Sequence, residues 1–324
     1  MSLQIISTPI KDELEEFDKY FKSLMKTDVA LLDLVLRYLT KKKGKRIRPI
    51  LVFLTAHILG EINERTYQGA AMVELLHTAT LVHDDVVDRA ETRRGLLSIN
   101  AKWNNKIAVL VGDFLLSKGL LIATENQEYG FLDITSDAVR RMSEGELQAI
   151  EVIKKRDITE EIYYRIISDK TAALISTCTQ IGAASVTDDK ELIRKMKDFG
   201  ENIGMAFQLK DDLFDYLSES SLIGKPVGND IREKKITLPL IHAFKNSDKS
   251  EAKKIKKMIS KSDLTNKDVK YIVDFTKQHK GIDYTINVSN EYKQRAVDIL
   301  DSLPTNADRQ TLIDLAEFVI NREN

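Results

Sequence analysis

Between Ala70 and Val87, apolar residues fall at Met72, Leu75, Leu76, Ala79, Val82, Val86 and Val87, in steps of three and four. That is the period of a helix that buries one face. Similar spacing predicts helices over roughly 12–40, 104–125, 131–155, 159–184, 189–217, 250–260, 266–303 and 307–322, with an apolar helix from Ile50 to Leu59. Most of these alternate an apolar and a charged face. The stretches 104–122 and 170–184 carry little charge, which predicts central helices packed all round. Breaks fall at Thr92 to Gly95, Thr187 to Asp189 and Ser218 to Asp230, the last holding Gly224, Pro226 and Gly228. No stretch alternates with period two between hairpin turns, and no tract marks a linker. The pattern predicts an all-α chain forming one domain over residues 1–324.

Composition narrows the class. The 324 residues include only 14 Gly and 5 Pro, and no Pro lies between Pro49 and Pro226. A sandwich or barrel, with its frequent turns, is excluded on that ground. With 43% hydrophobic residues and 49 basic against 50 acidic side chains, the chain is neither disordered nor globally attractive to nucleic acid or an anionic membrane. Cys178 is the only cysteine, so intramolecular disulfides and multi-cysteine metal sites are excluded. The N-terminus lacks a basic stretch followed by an apolar core, and no run reaches ~18 uncharged apolar residues. A cytoplasmic protein with no transmembrane segment is expected.

The candidate chemistry lies in a repeated motif. Asp84-Asp85-Val86-Val87-Asp88 ends one apolar helix, and Asp211-Asp212-Leu213-Phe214-Asp215 sits near the end of another. In each, the first and last Asp are four apart and share a helix face. Such pairs repel by about 0.2–0.5 kcal/mol, and the dipole at a helix C-terminus also disfavours them. A hard divalent cation removes the conflict, because carboxylate oxygens, waters and phosphate are what Mg²⁺ binds. A solvated acidic patch would explain one copy. Two copies, each followed by basic residues (Arg93-Arg94, and Lys225 with Lys234-Lys235), point to an oligophosphate site.

Residues 41–48, KKKGKRIR, place Lys45, Arg46 and Arg48 just before Pro49, a residue suited to the first helical turn. A helix N-terminus with that charge is a natural anion site whose size suits a diphosphate better than a duplex backbone, with a solvated basic patch as the alternative. His77 lies seven and eleven residues before Asp84 and Asp88, on the same face. A lone His on a mostly apolar helix is more often a hydrogen-bonded core residue. Glu74-Leu75-Leu76-His77 has the spacing of a di-iron ligand pair, but no second copy accompanies it.

With these pieces the chain resembles the trans-isoprenyl diphosphate synthases, or polyprenyl synthetases, in their long-chain, octaprenyl-type branch. The resemblance rests on Gly44 to Pro49, His77 to Asp88, Arg93-Arg94-Gly95, Gly112-Asp113-Phe114-Leu115, Glu144 to Gln148, Lys170-Thr171, Phe207 to Asp212 and Gly224-Lys225-Pro226, in the family's order. It implies one large helical bundle around a deep cavity, a homodimer, and condensation of an allylic diphosphate with isopentenyl diphosphate. By resemblance, Asp84, Asp88 and Asp211 would ligate about three Mg²⁺ ions, supported by Asp85, Asp212 and Asp215. Arg93, Lys170, Lys225 and Lys235 would hold the allylic diphosphate. Lys45, Arg48, His77 and Arg94 would hold isopentenyl diphosphate, with Thr171 and Gln208 near the reacting carbons. Two departures, Thr92 and the Pro-less Leu97-Ser98-Ile99-Asn100, concern loop geometry.

The helix before Asp84 is expected to wall the growing chain, one turn of about 5.4 Å per isoprene unit. Ala79 and Thr80 are small, with Leu76 and Met72 beyond; together with the resemblance this favours a product of six to ten units, although small residues there could simply serve helix packing. Phe131, Thr135 and Ala138 are candidates for the floor. A shorter product, farnesyl or geranylgeranyl diphosphate, and a non-catalytic helical partner subunit are the alternatives. A terpene cyclase would not need Lys45 and Arg48, and a nucleic-acid role would rest on KKKGKRIR alone.

Overall fold

Amphipathic spacing and side-chain caps set the elements in a computed structural model, which describes residues 2–41, 44–93, 95–155, 158–217, 228–261, 263–303 and 309–320. The N-terminal half runs α1 (Leu3–Ile6), α2 (Lys11–Leu24), α3 (Ala30–Thr40), α4 (Ile47–Leu59) and α5 (Glu64–Val87). It continues through strands β1 (Thr92–Arg93) and β2 (Leu96–Leu97), α6 (Ile99–Lys102), α7 (Asn105–Glu125) and α8 (Tyr129–Lys155). Then come α9 (Glu160–Ile167), a π-helical turn (Ser168–Ala172), α10 (Ala173–Ala184) and α11 (Lys190–Leu217). The remainder is α12 (Asn229–Arg232), α13 (Leu238–Lys245), α14 (Lys249–Ile259), α15 (Asn266–Gln278), α16 (Gly281–Asp301) and α17 (Arg309–Ile320). The chain is all-α apart from one two-residue hairpin among the described residues.

Two compact units emerge. The first holds Met1–Val139, Leu174–Lys197 and Thr305–Leu315; the second holds Arg140–Ala173, Asp198–Pro304 and Ala316–Asn324. In the first, α4 is apolar on nearly every side, and Leu51, Val52, Phe53, Leu54 and Ala56 are wholly buried. Phe53 meets Phe17 and Tyr67 edge-on at 5.6 and 5.0 Å. α5 starts at a capping box: the Asn63 side chain and Thr66 satisfy each other's backbone donors. In the second unit, Leu213, Tyr216, Ile231, Leu240, Ile255, Ile272 and Phe275 form one core cluster, while Tyr163, Ile167, Met205, Leu209 and Leu238 contribute to another.

Five expectations need correction. The helix predicted over 12–40 breaks at residues 25–29, where the Val29 amide bonds the Thr27 hydroxyl instead of a helical carbonyl. That over 266–303 breaks at His279-Lys280, where Lys280 turns into the left-handed region at φ 57° and Gly281 packs so close to Pro239 that a Cβ would meet its carbonyl oxygen at 2.0 Å. The stretch 159–184 contains the π-helical turn. The hairpin was not anticipated; Gly95, at φ 72°, supplies the left-handed residue its turn requires. Finally, α7 is not packed all round. Val109, Leu110, Leu120 and Leu121 are 41–58% exposed. α7 is also the one described helix long and apolar enough to cross a membrane, although Lys106, Asp113 and Lys118 interrupt it. In contrast, α10 is buried over most of its length, as predicted.

Candidate active site

The first aspartate motif closes α5. Asp84 and Asp88 are exposed one turn apart, and the Asp88 amide bonds the Asp84 carbonyl at 2.8 Å as the helix ends. Asp85 turns inward and is 4% exposed. Its charge is met by Arg93, whose Nε donates to Asp85 Oδ1 at 2.6 Å from the hairpin that follows. The loop is anchored without proline: Ser98 Oγ and Asn100 Nδ2 both donate to the Ala90 carbonyl, at 2.5 and 3.2 Å. Ser98 also caps α6, and the Tyr38 hydroxyl donates to the Leu97 carbonyl at 2.8 Å. These bonds are the local solution to the departures at Thr92 and Leu97 to Asn100.

Beside this motif lies a cavity of about 150 Å³ whose lining includes Arg46, Glu74, His77, Asp85 and Arg93. The structure therefore brings His77, Asp85 and Arg93 together. The basic group that joins them from the KKKGKRIR segment is Arg46, the N-cap residue of α4, held in the left-handed region at φ 55°. Arg46 also pairs with Asp18, and burial holds its pKa below the ordinary value against the field of Glu74. Pro49 sits in the first turn of α4, where its missing N–H has no helical partner to lose. Lys45 is exposed and Arg48 half-buried. Arg94, Lys225 and the neighbouring Gly224 and Pro226 lie outside the described residues.

The second motif closes α11 differently. Asp211 is exposed, whereas Asp212 is buried and accepts from two neutral donors: Tyr163 Oη at 2.6 Å and Gln208 Nε2 at 2.7 Å. Burial pushes the Asp212 carboxyl up to about 7; Tyr163 and Gln208 oppose that rise, and the charges of Asp230 and Asp211 add to it. Asp215 accepts the amides of Asn229 and Asp230 at 2.7 and 3.0 Å, capping α12 from a distance. Thr171 Oγ1 donates to Gln208 Oε1 at 2.8 Å, so Thr171, Gln208 and Asp212 form one chain of hydrogen bonds. Lys170, exposed on the π-helical turn, pairs with Glu146. Lys235 pairs with Glu233 at 2.6 Å and lies 3.6 Å from Asp230. Burial works against the Lys235 charge, but these carboxylates outweigh it and raise its pKa.

Tyr163 and Asp230 were missed by sequence reasoning. Asp230 follows Gly228-Asn229 and could have been noted as a further carboxylate near Lys235; nothing in the sequence marks Tyr163.

The donor set fits magnesium. Among the described residues no three His, Cys, Asp or Glu side chains form a closed metal cage. Mg²⁺ is ordinarily held by one or two carboxylates, with substrate phosphates and waters completing its octahedron. Asp84 with Asp88, and Asp211, are exposed carboxylates of that kind.

Residues 29–276 match the Polyprenyl synthetase family. The chain belongs to the polyprenyl synthetase family. It is 33% identical to the octaprenyl diphosphate synthase of Haemophilus influenzae over 99% of this chain and 98% of that one. Heptaprenyl diphosphate synthase component 2 of Bacillus subtilis is 32% identical, over 100% of this chain and 92% of its own. Among solved structures, the geranylgeranyl pyrophosphate synthetase of Pyrococcus horikoshii superimposes with a TM-score of 0.90 at 32% identity, covering 99% of each chain. As a polyprenyl synthetase with relatives of this kind, the protein is a prenyltransferase that makes prenyl diphosphates.

Proposed function

We propose that this polyprenyl synthetase is a Mg²⁺-dependent, long-chain trans-prenyltransferase of the cytoplasm, adding isopentenyl diphosphate repeatedly to an allylic diphosphate. The observation that carries the reading is the pair of aspartate motifs at the ends of α5 and α11, each with exposed carboxylate; Arg93 pairs with Asp85 of the first, and Lys235 lies beside Asp230, whose charge acts on Asp212 of the second. Asp84, Asp88 and Asp211 hold the magnesium, with Asp85, Asp212 and Asp215 fixing the helix ends that carry them. When bound, Mg²⁺ neutralises the diphosphate and stabilises the pyrophosphate as it departs. Lys170, Lys235, Lys225 and Arg93 bind the remaining oxygens of the allylic diphosphate.

The allylic C–O bond breaks, its electron pair leaves with pyrophosphate, and the isopentenyl double bond attacks the resulting allylic cation. A proton is then lost from the new chain, with pyrophosphate as the acceptor. His77 and Arg46 beside the small cavity, with Lys45, Arg48 and Arg94, orient isopentenyl diphosphate. Thr171 and Gln208 line the reacting carbons. Preorganised cations aimed at the departing oxygen are the largest electrostatic contribution this reaction can receive.

Product length is proposed at six to ten isoprene units. Ala79 is wholly buried and Thr80 partly so, and both residues, five and four before Asp84, are small. Phe131, packed against Gly69 of α5, and Thr135 and Ala138 beyond it are all buried on the same helix and are proposed as the floor. Homodimerisation is proposed through α7, whose exposed Val109, Leu110, Leu120 and Leu121 form an apolar face that a second copy would cover.

The test incubates the protein with Mg²⁺, farnesyl diphosphate and labelled isopentenyl diphosphate, then sizes the dephosphorylated products. C30–C50 alcohols from a dimer support the reading. Products of C20 or less favour the shorter-chain alternative. The Bacillus relative is named as one component of an enzyme, so activity appearing only with a second, different chain would replace the homodimer by a mixed assembly.

A further inference from the structure

Ser168–Ala172 is a single π-helical turn between α9 and α10. Such a turn abandons the regular i→i−4 ladder, so it persists where neighbouring groups compensate, and it is common at functional sites. The compensation here comes from Arg141 of α8. Its Nε donates to Asp169 Oδ1 at 2.7 Å, and its Nη2 donates to Ser168 Oγ at 2.7 Å and Glu201 Oε1 at 2.8 Å. Its Nη1 reaches Glu201 Oε2 at 3.2 Å, and Ser168 Oγ itself donates to Glu201. One guanidinium thereby joins the first two residues of the turn to α11.

The clamp is tight on both sides. A Cβ on Gly145 of α8 would meet Asp169 Cβ at 2.9 Å and the Lys170 nitrogen at 3.1 Å. A Cβ on Gly204 of α11 would meet Ala172 Cα at 2.5 Å. The Arg141 side chain is 16% exposed. Burial works against its charge, but the hydrogen bonds to Glu201 and Asp169 outweigh burial and raise its pKa, so it stays a cation. The next two residues of the turn are Lys170 and Thr171, and Thr171 is the one that bonds Gln208.

We propose that Arg141 is a positioning residue for prenyl transfer: by clamping the π-helical turn to α11 it sets where the Lys170 ammonium and the Thr171 hydroxyl stand relative to Gln208 and Asp211. The inference rests on the proposed roles of Lys170, Thr171 and Gln208. Arg141 touches neither substrate in this account and acts through the turn. Four directed N–H bonds need the planar fork of arginine, which a lysine cannot reproduce.

The test compares Arg141→Met, Arg141→Lys and the milder Glu201→Gln by steady-state kinetics and by amide hydrogen exchange. For Arg141→Met, kcat should fall and the allylic diphosphate KM should rise about tenfold each, while the isopentenyl diphosphate KM stays within about twofold. Glu201→Gln should show the same split at smaller size, and Arg141→Lys should restore only part of the loss. Exchange at residues 168–173 should quicken about tenfold with the core of α10 unchanged. Combined with Lys170→Ala, Arg141→Met should add less than about threefold to the loss from Lys170→Ala alone.

Losses falling equally on both substrates, or fully multiplying with Lys170→Ala, would overturn the proposal. So would unchanged exchange in the turn of folded Arg141→Met or Glu201→Gln protein, a result that needs no transferase activity. An inactive wild-type protein would instead strike the proposed function on which the positioning role depends.

Discussion

Asp85 and Asp212 occupy the same place in the same five-residue motif, one in each unit, and both are buried, yet opposite chemistry holds them. Asp85 is matched by a cation, Arg93, carried on a short hairpin. Asp212 is matched by the neutral donors Tyr163 and Gln208, and its carboxyl is pushed up to about 7 by burial. The flanking residues differ as well. Asp88 ends its helix in the open, while Asp215 spends both oxygens on the amides that start α12. Identical spacing therefore leaves two exposed carboxylates at the end of α5 and one, Asp211, at the end of α11. A DDxxD motif fixes which face its carboxylates share; the neighbours decide which of them stay exposed.

The largest expected effect separates presented from embedded carboxylates. Asp84→Ala and Asp211→Ala should each lower kcat by about 10³-fold or more, the loss of a charge-stabilising group in the transition state. Far-ultraviolet circular dichroism should stay unchanged. Asp212→Asn keeps the shape and one acceptor and should cost only about tenfold. An Asp212→Asn loss as deep as that of Asp211→Ala would erase the distinction.

A change at the wall of the product path comes next. Ala79→Phe should shorten the product to about three or four units, since the side chain blocks the chain one 5.4 Å turn beyond Asp84. Unchanged product sizes on chromatography would mean that the chain runs elsewhere.

The pH dependence of stability sharpens the contrast. Without divalent metal, unfolded Asp212 ionises near 3.8 and the native form near 7. Between those values the native state binds more protons than the unfolded state, so stability falls as pH rises from about 4 to 7 and then levels. Burial raises the pKa of Asp215 and Asp230 too, adding to the same trend. Thermal melts of Asp212→Asn in EDTA should show a shallower decline across that window than wild type. An equally steep decline would remove Asp212 as a source.

The smallest effect concerns the donor. Tyr163→Phe removes one of the two neutral hydrogen bonds to Asp212 and should destabilise the protein by about 1–2 kcal/mol in urea titrations. Arg93, half-exposed in its pair with Asp85, should matter less to stability and more to substrate binding.

Much of this was legible in the sequence. The three-and-four spacing of apolar residues identifies the helices, and the two aspartate motifs are visible because their local cost calls for a ligand. Contacts remote in sequence were not legible: Tyr163 is 49 residues from Asp212, and Arg141 is 60 from Glu201. Periodicity reports which face is apolar but not what covers it, which is why α7 reads as a central helix yet exposes Leu110 and Leu120. It also passes smoothly through His279-Lys280, where only the lone Gly281 hints that another backbone comes close. Arg46 belonged to the basic cluster in the sequence, but its left-handed N-cap conformation, beside the cavity that also holds His77, appears only in three dimensions.

The proposed function requires both aspartate motifs to serve one metal-bound allylic diphosphate. A double-mutant cycle on kcat/KM for that substrate, with Asp84→Ala, Asp211→Ala and the combination, tests it most directly. If the motifs act as a unit, the double variant will be no more than about tenfold worse than the worse single variant. Losses that multiply in full would show two independent sites and contradict the account.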